Sequence, residues 1–423
     1  MNTLENEKLK IQCSATEPST YQFPSLDLLQ SQEENNGFIS QDEINENKNR
    51  IMDTLKMFKI RVSNIEVTVG PTVSWYEIIP ADGVRLSTLK HWEREIVMSL
   101  ATHGVRMISP VCGRATIGIE IPNKHPLALN IKTVLSSKAF QESSYQLPIA
   151  FGVNSNNDVS MADLTKMPHL LIAGASGQGK TEALNTIITS LLYKKRPDEL
   201  KFVLIDPKQT EFVQYDRLKD HYLARLERED SAVVTDPDNI QLTLNALCCE
   251  MDNRFCLLKD AGARSINEYN KKFGDNLLDK DKGHRYLPYI VVIIDEYADP
   301  FVCLGSAFER QIVRIAQKSR AVGIHMIITT QRPSCDVITG IIKANFPARM
   351  AFRVARNVDS RTILDRAGAE QLIGRGDSLV FNDCSLDRFQ CAFINTQEID
   401  AMVESICEQP EFAHPYYLPT FPV

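Results

Sequence analysis

Eight consecutive residues, Gly174-Ala175-Ser176-Gly177-Gln178-Gly179-Lys180-Thr181, carry the spacing G-x-x-x-x-G-K-[ST]. They follow an apolar run directly and open a helix pattern over 182–193, the context this spacing requires. Glycines let backbone N–H groups wrap phosphate oxygens, and a helix N-terminus adds a favourable dipole. Lys180 then reaches β- and γ-phosphates and Thr181 offers its hydroxyl to Mg²⁺, so the spacing predicts ATP with Mg²⁺. A glycine-rich turn in an ordinary strand–helix unit is the competing reading. A second apolar run, Val291 to Ile294, ends in Asp295 and Glu296. Carboxylates at the carboxyl end of a parallel strand face the ligand crevice. There Asp295 holds Mg²⁺ through water and Glu296 activates the attacking water; taken alone, two solvated acids fit the pattern as well. A third run, Met326 to Thr329, leads to Thr330-Gln331-Arg332. Gln331 is placed to sense the γ-phosphate, with a capping or turn residue as the alternative.

These residues need a scaffold. The runs 169–173, 201–205, 289–294 and 324–328 are continuously apolar, and most are followed by a helix pattern. Strands of that kind are buried on both faces of a parallel sheet, so an α/β fold is predicted from Leu147 onward. Before it, a helix pattern (Ile44, Ile51, Leu55, Phe58) precedes two alternating runs, 65–69 and 73–78, separated by Gly70-Pro71. A helix over 87–102 and strands over 105–108 and 116–120 complete a small α+β domain. The predicted organisation is an N-terminal arm over 1–40, disordered or loosely docked, the small domain over 41–145, the ATPase-like domain over 146–400 and a tail over 401–423. The charged insert 270–285 reads as a mobile loop.

Bulk properties narrow the class. Charged residues make up 24% and no apolar run reaches 18 residues, so no membrane-spanning segment is expected and the location reads as cytoplasmic. Ten cysteines without a CxxC pair point to reduced thiols. A net charge of −7 disfavours a protein that coats nucleic acid all over. Yet the stretch 310–366 holds eleven Lys and Arg against three Asp, a net of +8. Solvated helix faces explain part of it; an arginine finger or phosphate contacts explain it equally. Few aromatics are interleaved, which favours backbone tracking of a duplex over base stacking.

Several of these segments together resemble FtsK/SpoIIIE motors. They include 164–174, Ile205-Asp206-Pro207-Lys208, 287–299, 315–325, Thr330-Gln331-Arg332-Pro333-Ser334, 336–345 and 359–365, and similarity extends from about Tyr21 to Thr396. The resemblance implies a small α domain and a RecA-like P-loop NTPase core, six copies forming a ring around double-stranded DNA. It places a trans-acting arginine finger on Arg320 and DNA contacts at Arg332 and Arg361. The chain departs from the family at Ala355-Arg356-Asn357-Val358-Asp359, where Asn357 replaces a pore lysine and Arg356 stands beside it as a third contact. No winged-helix reader module is expected after Thr396. The function implied is an ATP-driven DNA translocase; a DNA-coupling or loading platform and a protein-secretion ATPase are the rivals.

Overall fold

Ser40 caps the first helix, α1 (Gln41–Met57), by accepting a hydrogen bond from the Glu43 backbone N–H. The computed structural model describes residues 21–31, 40–102, 104–108, 116–126, 128–227, 231–382 and 385–419. The alternating runs form a hairpin of β1 (Val62–Val69) and β2 (Val73–Pro80). The single helix expected over 87–102 is two, α2 (Leu86–His91) and α3 (Glu93–Ser99), broken at Trp92, whose ring stacks on Phe58 at 4.1 Å. With β3 (Arg106–Ile108) and β4 (Ile117–Pro122) the strands make an antiparallel sheet ordered β1-β2-β4-β3. Ile51, Leu55, Tyr76, Ile96 and Ile119 form its separate core.

The small domain ends earlier than residue 145. β5 (Leu129–Asn130), α4 (Ile131–Leu135) and α5 (Lys138–Gln141) already pack into the second core through Ile131, Leu135 and Phe140. These pieces are too short to show a period, which is why the boundary was misplaced.

The large domain continues with β6 (Pro148–Asn154) and β7 (Val159–Asp163), followed by β8 (His169–Ala173), α6 (Lys180–Leu192) and β9 (Leu200–Ile205). Two short strands, β10 (Ala224–Arg225) and β11 (Val233–Val234), precede α7 (Pro237–Asp260), α8 (Ile266–Gly274) and β12 (Tyr289–Ile294). Then come α9 (Ala298–Lys318), β13 (Ile324–Thr330), α10 (Gly340–Asn345), β14 (Ala348–Phe352) and α11 (Asn357–Leu364). The described chain closes with β15 (Asp377–Asn382), β16 (Ser385–Phe393), α12 (Thr396–Cys407) and β17 (Tyr416–Tyr417). The four apolar runs are β8, β9, β12 and β13, buried at every residue.

The sheet runs β11-β9-β12-β13-β8-β14-β15-β16-β6-β7, parallel as far as β14 and antiparallel beyond it. The fold is therefore mixed α/β with a large, mostly parallel sheet, and the antiparallel half extends what the apolar runs predict. Helix α8 corrects the first part of the expected loop, 270–274: Ile266, Tyr269 and Phe273 are buried, and the Asn270 side chain bonds the backbone of Leu287 in both directions.

Residues 21–31, expected to be part of an arm either disordered or loosely docked, are docked. The Tyr21 and Tyr222 hydroxyls meet at 2.9 Å, Lys132 donates to the Leu29 carbonyl at 3.0 Å, and Leu29 is buried. The rest of the expected arm, 1–20 and 32–39, lies outside the described residues. The expected tail also belongs to the large domain, since α12 buries Met402, Val403 and Ile406, and the Tyr416 hydroxyl donates to Glu250. No helix among the described residues is long and apolar enough to cross a membrane.

A buried triad joins the two domains. The Arg388 guanidinium, on β16, donates twice to Asp377 at 2.8 and 2.7 Å and once to Glu120 of the small domain at 2.8 Å. All three side chains are 2% exposed. Removing the arginine leaves Asp377 buried without its counter-ion and Glu120 with only Arg106, 3.8 Å away, a change that costs about 3–5 kcal/mol. Arg388→Ala should accordingly lower the thermal unfolding midpoint by several degrees; an unchanged midpoint contradicts the coupling assigned to the triad.

Candidate nucleotide site

The loop 174–179 leaves β8 at the carboxyl edge of the sheet and enters α6 at Lys180. Its glycines answer two different demands. Gly174 and Gly179 are close-packed, a Cβ there lying 2.6 Å from Phe352 and 2.7 Å from Gly376 respectively. Gly177 has φ +68 with open space where a Cβ would stand, so the loop apex turns its backbone outward. Ala175 donates to the Arg353 carbonyl at 3.0 Å, and Gly376 donates to the Gln178 carbonyl at 3.0 Å, fixing the loop from behind.

Lys180 is 6% exposed and its ammonium donates to the Gly174 and Ala175 carbonyls, each at 2.8 Å. Burial pushes its pKa down to about 8, against the pull of Glu296 and Asp295. Thr181 follows on the first turn of α6, half-buried.

β13 lies between β8 and β12, and its last two threonines face the acids that follow β12. The Thr329 hydroxyl donates to Asp295 at 2.9 Å, and the Thr330 hydroxyl donates to Glu296 at 2.8 Å. Burial drives the Asp295 pKa up to about 6, opposed by the Thr329 bond and reinforced by neighbouring Glu211 and Asp206. Glu296 is 1% exposed and sits at φ +51, a left-handed conformation that costs a non-glycine residue on the order of 1 kcal/mol. The kink turns its carboxylate toward the Gln331 backbone N–H, 3.0 Å from Oε2, and toward the Lys208 ammonium at 3.3 Å. Gln331 in turn accepts a hydrogen bond from Ser176 of the phosphate loop.

The donor set suits Mg²⁺. One hydroxyl (Thr181) and one carboxylate (Asp295) are hard oxygen ligands of the kind that ion shares with phosphate and water. The open apex at Gly177 and the buried ammonium of Lys180 suit a polyphosphate.

The structure thus brings Lys180, Thr181, Asp295, Glu296 and Gln331 to one edge. Arg320 is elsewhere. It is exposed in the turn before β13, at the amino end of that strand. The seven residues of β13 separate it from Gln331, roughly 23 Å of strand.

The other arginines divide. Arg332 is exposed beside Gln331, 3.6 Å from Asp299. Arg356 is exposed, but both arms of its fork engage Asp359, at 3.2 and 2.8 Å. Arg361 donates to Asn357 at 2.8 Å from the same helix. Arg349, counted in the basic stretch, is buried against the Ile363 carbonyl and Asp365, so the run of charge is not one surface.

Three features escaped the sequence reading. Lys208 is held by Asp206, whose buried carboxylate accepts backbone N–H bonds from each of residues 208 to 212. An Asp-Pro pair after an apolar strand was the available signal. Thr329 and Thr330 were visible only as a strand tip. His169 and His325, the third feature, form a buried pair where β8 and β13 begin, next to Arg320. His325 Nδ1 faces the Pro168 carbonyl at 3.2 Å, and His169 Nδ1 accepts from the Met326 N–H at 3.1 Å.

Residues 130–335 match the FtsK/SpoIIIE family and residues 23–123 the FtsK alpha domain. A DNA translocase FtsK from Chlorobaculum tepidum is 44% identical over 408 residues, covering 95% of this chain and 50% of that protein. The DNA translocase SpoIIIE of Bacillus subtilis is 39% identical over 395 residues, covering 93% of this chain and 49% of that protein. The chain spans about half the length of these relatives. Among solved structures, the pCW3 conjugation coupling protein TcpA with ATPγS is 22% identical with a TM-score of 0.57, covering 85% of this chain and 99% of that one. At that identity the likeness concerns the fold.

The histidine pair yields a pH test. Burial pushes the pKa of His169 down to about 3 and that of His325 down to about 4, with Arg320 adding to both shifts. A depressed histidine contributes stability that is present above its unfolded value, about 6.5, and is lost as pH falls toward the folded value. By about pH 5 each should cost about 2 kcal/mol. His325→Gln should therefore lose about 2 kcal/mol less than the parent between about pH 7.5 and about pH 5 in urea unfolding. Identical losses contradict the assignment.

Proposed function

The chain belongs to the FtsK/SpoIIIE family, and from that premise we propose that it hydrolyses ATP to drive double-stranded DNA through a ring of identical subunits. The observation that carries the proposal is the convergence of Lys180, Asp295, Glu296 and Gln331 on one sheet edge, around a phosphate loop whose apex faces outward.

In this reading Gly174, Ala175, Ser176, Gly177, Gln178, Gly179 and Lys180 wrap the phosphates. Lys180 neutralises charge that builds on the β- and γ-phosphate oxygens. Thr181 and Asp295 would hold Mg²⁺, which supplies further neutralisation of the phosphates. Glu296 takes the proton from a water whose oxygen bonds to the γ-phosphorus, while the bond to the β–γ bridging oxygen breaks and ADP leaves. Gln331, fixed by Ser176 and beside Glu296, orients that water or the γ-phosphate.

Arg320 supports the ring. A residue roughly 23 Å along a strand from its own phosphate loop cannot serve that loop, whereas an exposed arginine can reach a site on a neighbour. The hexamer, the duplex in its pore, and the contacts of Arg332, Arg361 and Arg356 with its phosphates complete the proposal.

Glu296→Gln keeps the side chain's size and its acceptor oxygen for Thr330 but removes the proton acceptor. Hydrolysis should fall by about 10²–10⁴ while ATP binding persists; loss of binding in an equilibrium titration would show that Glu296 is structural. The ring is tested by mixing. Arg320→Ala alone should lose about 10³-fold or more in rate, as arginine fingers do. Arg320→Ala subunits retain a complete site, and Lys180→Ala subunits retain a finger, so co-assembled mixtures should recover activity. Mixed rings no more active than either variant alone contradict a role in trans.

A further inference from the structure

Four charged side chains form a line from the solvent to the buried acid. The Arg332 guanidinium, 62% exposed, lies 3.6 Å from one oxygen of Asp299. The other oxygen of Asp299 lies 3.8 Å from the Lys208 ammonium. That ammonium stands 3.3 Å from Oε2 of Glu296, whose side chain is 2% exposed. Neither inner residue is loosely placed. The Lys208 backbone is anchored by Asp206 at 3.1 Å. Asp299 sits in the first turn of α9, where a carboxylate is favoured by the helix dipole.

Lys208 is shared between two carboxylates, and what else each carboxylate holds decides which one keeps it. Glu296 has the Thr330 hydroxyl and the Gln331 N–H; Asp299 has Arg332. When a phosphate oxygen takes the arginine, Asp299 is left with one cation within reach, and the ammonium shifts toward it. Oε2 of Glu296 then loses a donor and regains a lone pair that an attacking water can use.

We propose that Asp299 and Lys208 are positioning residues through which phosphate contact at Arg332 frees Glu296 to activate water, so that engagement of the DNA backbone switches on hydrolysis in the same subunit. This rests on the reading of Glu296 as the proton acceptor and of Arg332 as a DNA contact. It adds the physical link between them. No bond is made or broken in the relay; one ion pair is exchanged for another.

The experiment measures ATP hydrolysis with and without duplex DNA at low salt for the full chain and three variants, with ATP-analogue affinity determined for each. Arg332→Ala takes the guanidinium away from Asp299 without any DNA. Its DNA-free rate should rise about two- to fivefold, the weight of a part-exposed ion pair, while stimulation by DNA shrinks. An arginine that only grips DNA leaves the DNA-free rate unchanged, and that result overturns the relay. Lys208→Met should raise the DNA-free rate by a similar factor at unchanged analogue affinity; a fall in that rate, as for a lysine that assists the reaction directly, overturns it. Asp299→Asn should bind DNA yet show little stimulation, with Asp299→Glu restoring part of it; full stimulation in Asp299→Asn overturns it as well. The underlying reading fails in a different way. If the parent chain is not accelerated by DNA, or if Glu296→Gln turns over ATP, both the reading and the relay fall. If the parent is accelerated and only the variants disobey, the relay alone falls.

Discussion

One ammonium and two carboxylates sit almost out of water at the edge of an apolar sheet, and the polar groups around them answer that demand. Burial of an ion costs several kcal/mol unless partners replace its hydration. Lys180 finds two carbonyls of its own loop, Asp295 the Thr329 hydroxyl, and Glu296 a hydroxyl, a backbone N–H and the Lys208 ammonium. The compensation is incomplete. Burial still moves Lys180 down to about 8 and Asp295 up to about 6, each toward its neutral form. A bound polyphosphate would add a further negative charge beside the lysine, and a divalent cation bound with it would place a positive one beside the aspartate.

The parallel strands give this edge its direction. β8 and β13 carry the phosphate loop and Gln331 at their carboxyl ends, and the His169–His325 pair and Arg320 at their amino ends. Both strands are buried along their whole length, so the two ends keep a fixed separation. A chain built this way carries the candidate nucleotide site at one end of these strands and Arg320 at the other. In the proposed ring, that polarity lets each subunit complete the next. The small domain is held to the same sheet by Arg388, which bridges β16 and Glu120.

The candidate nucleotide site was legible in the sequence because its signals are local. The phosphate loop is eight adjacent residues, and Asp295-Glu296 closes an apolar run of strand length. What stabilises those residues was not legible, since Thr330 and Glu296 are 34 positions apart and Lys208 and Glu296 are 88 apart. The basic stretch was legible only in part, for the opposite reason. A charge count along the chain carries no information about faces: Arg349 is a buried partner of Asp365, whereas Arg356 pairs with Asp359 but stays exposed. The antiparallel half of the sheet was missed because β15 and β16 lack the long apolar runs that marked β9, β12 and β13. Short amphipathic pieces such as α4 and α5 have no period to read at all.

The central claim is that hydrolysis at this site moves DNA. It is tested most directly by displacement of a triplex-forming strand annealed to a long duplex. The account predicts displacement that requires ATP and duplex length on the approach side, falls with rising salt as backbone contacts are screened, and is absent with Glu296→Gln. Hydrolysis that is stimulated by DNA but leaves the third strand in place would contradict it, and would make the chain a coupling platform that binds DNA without pumping it.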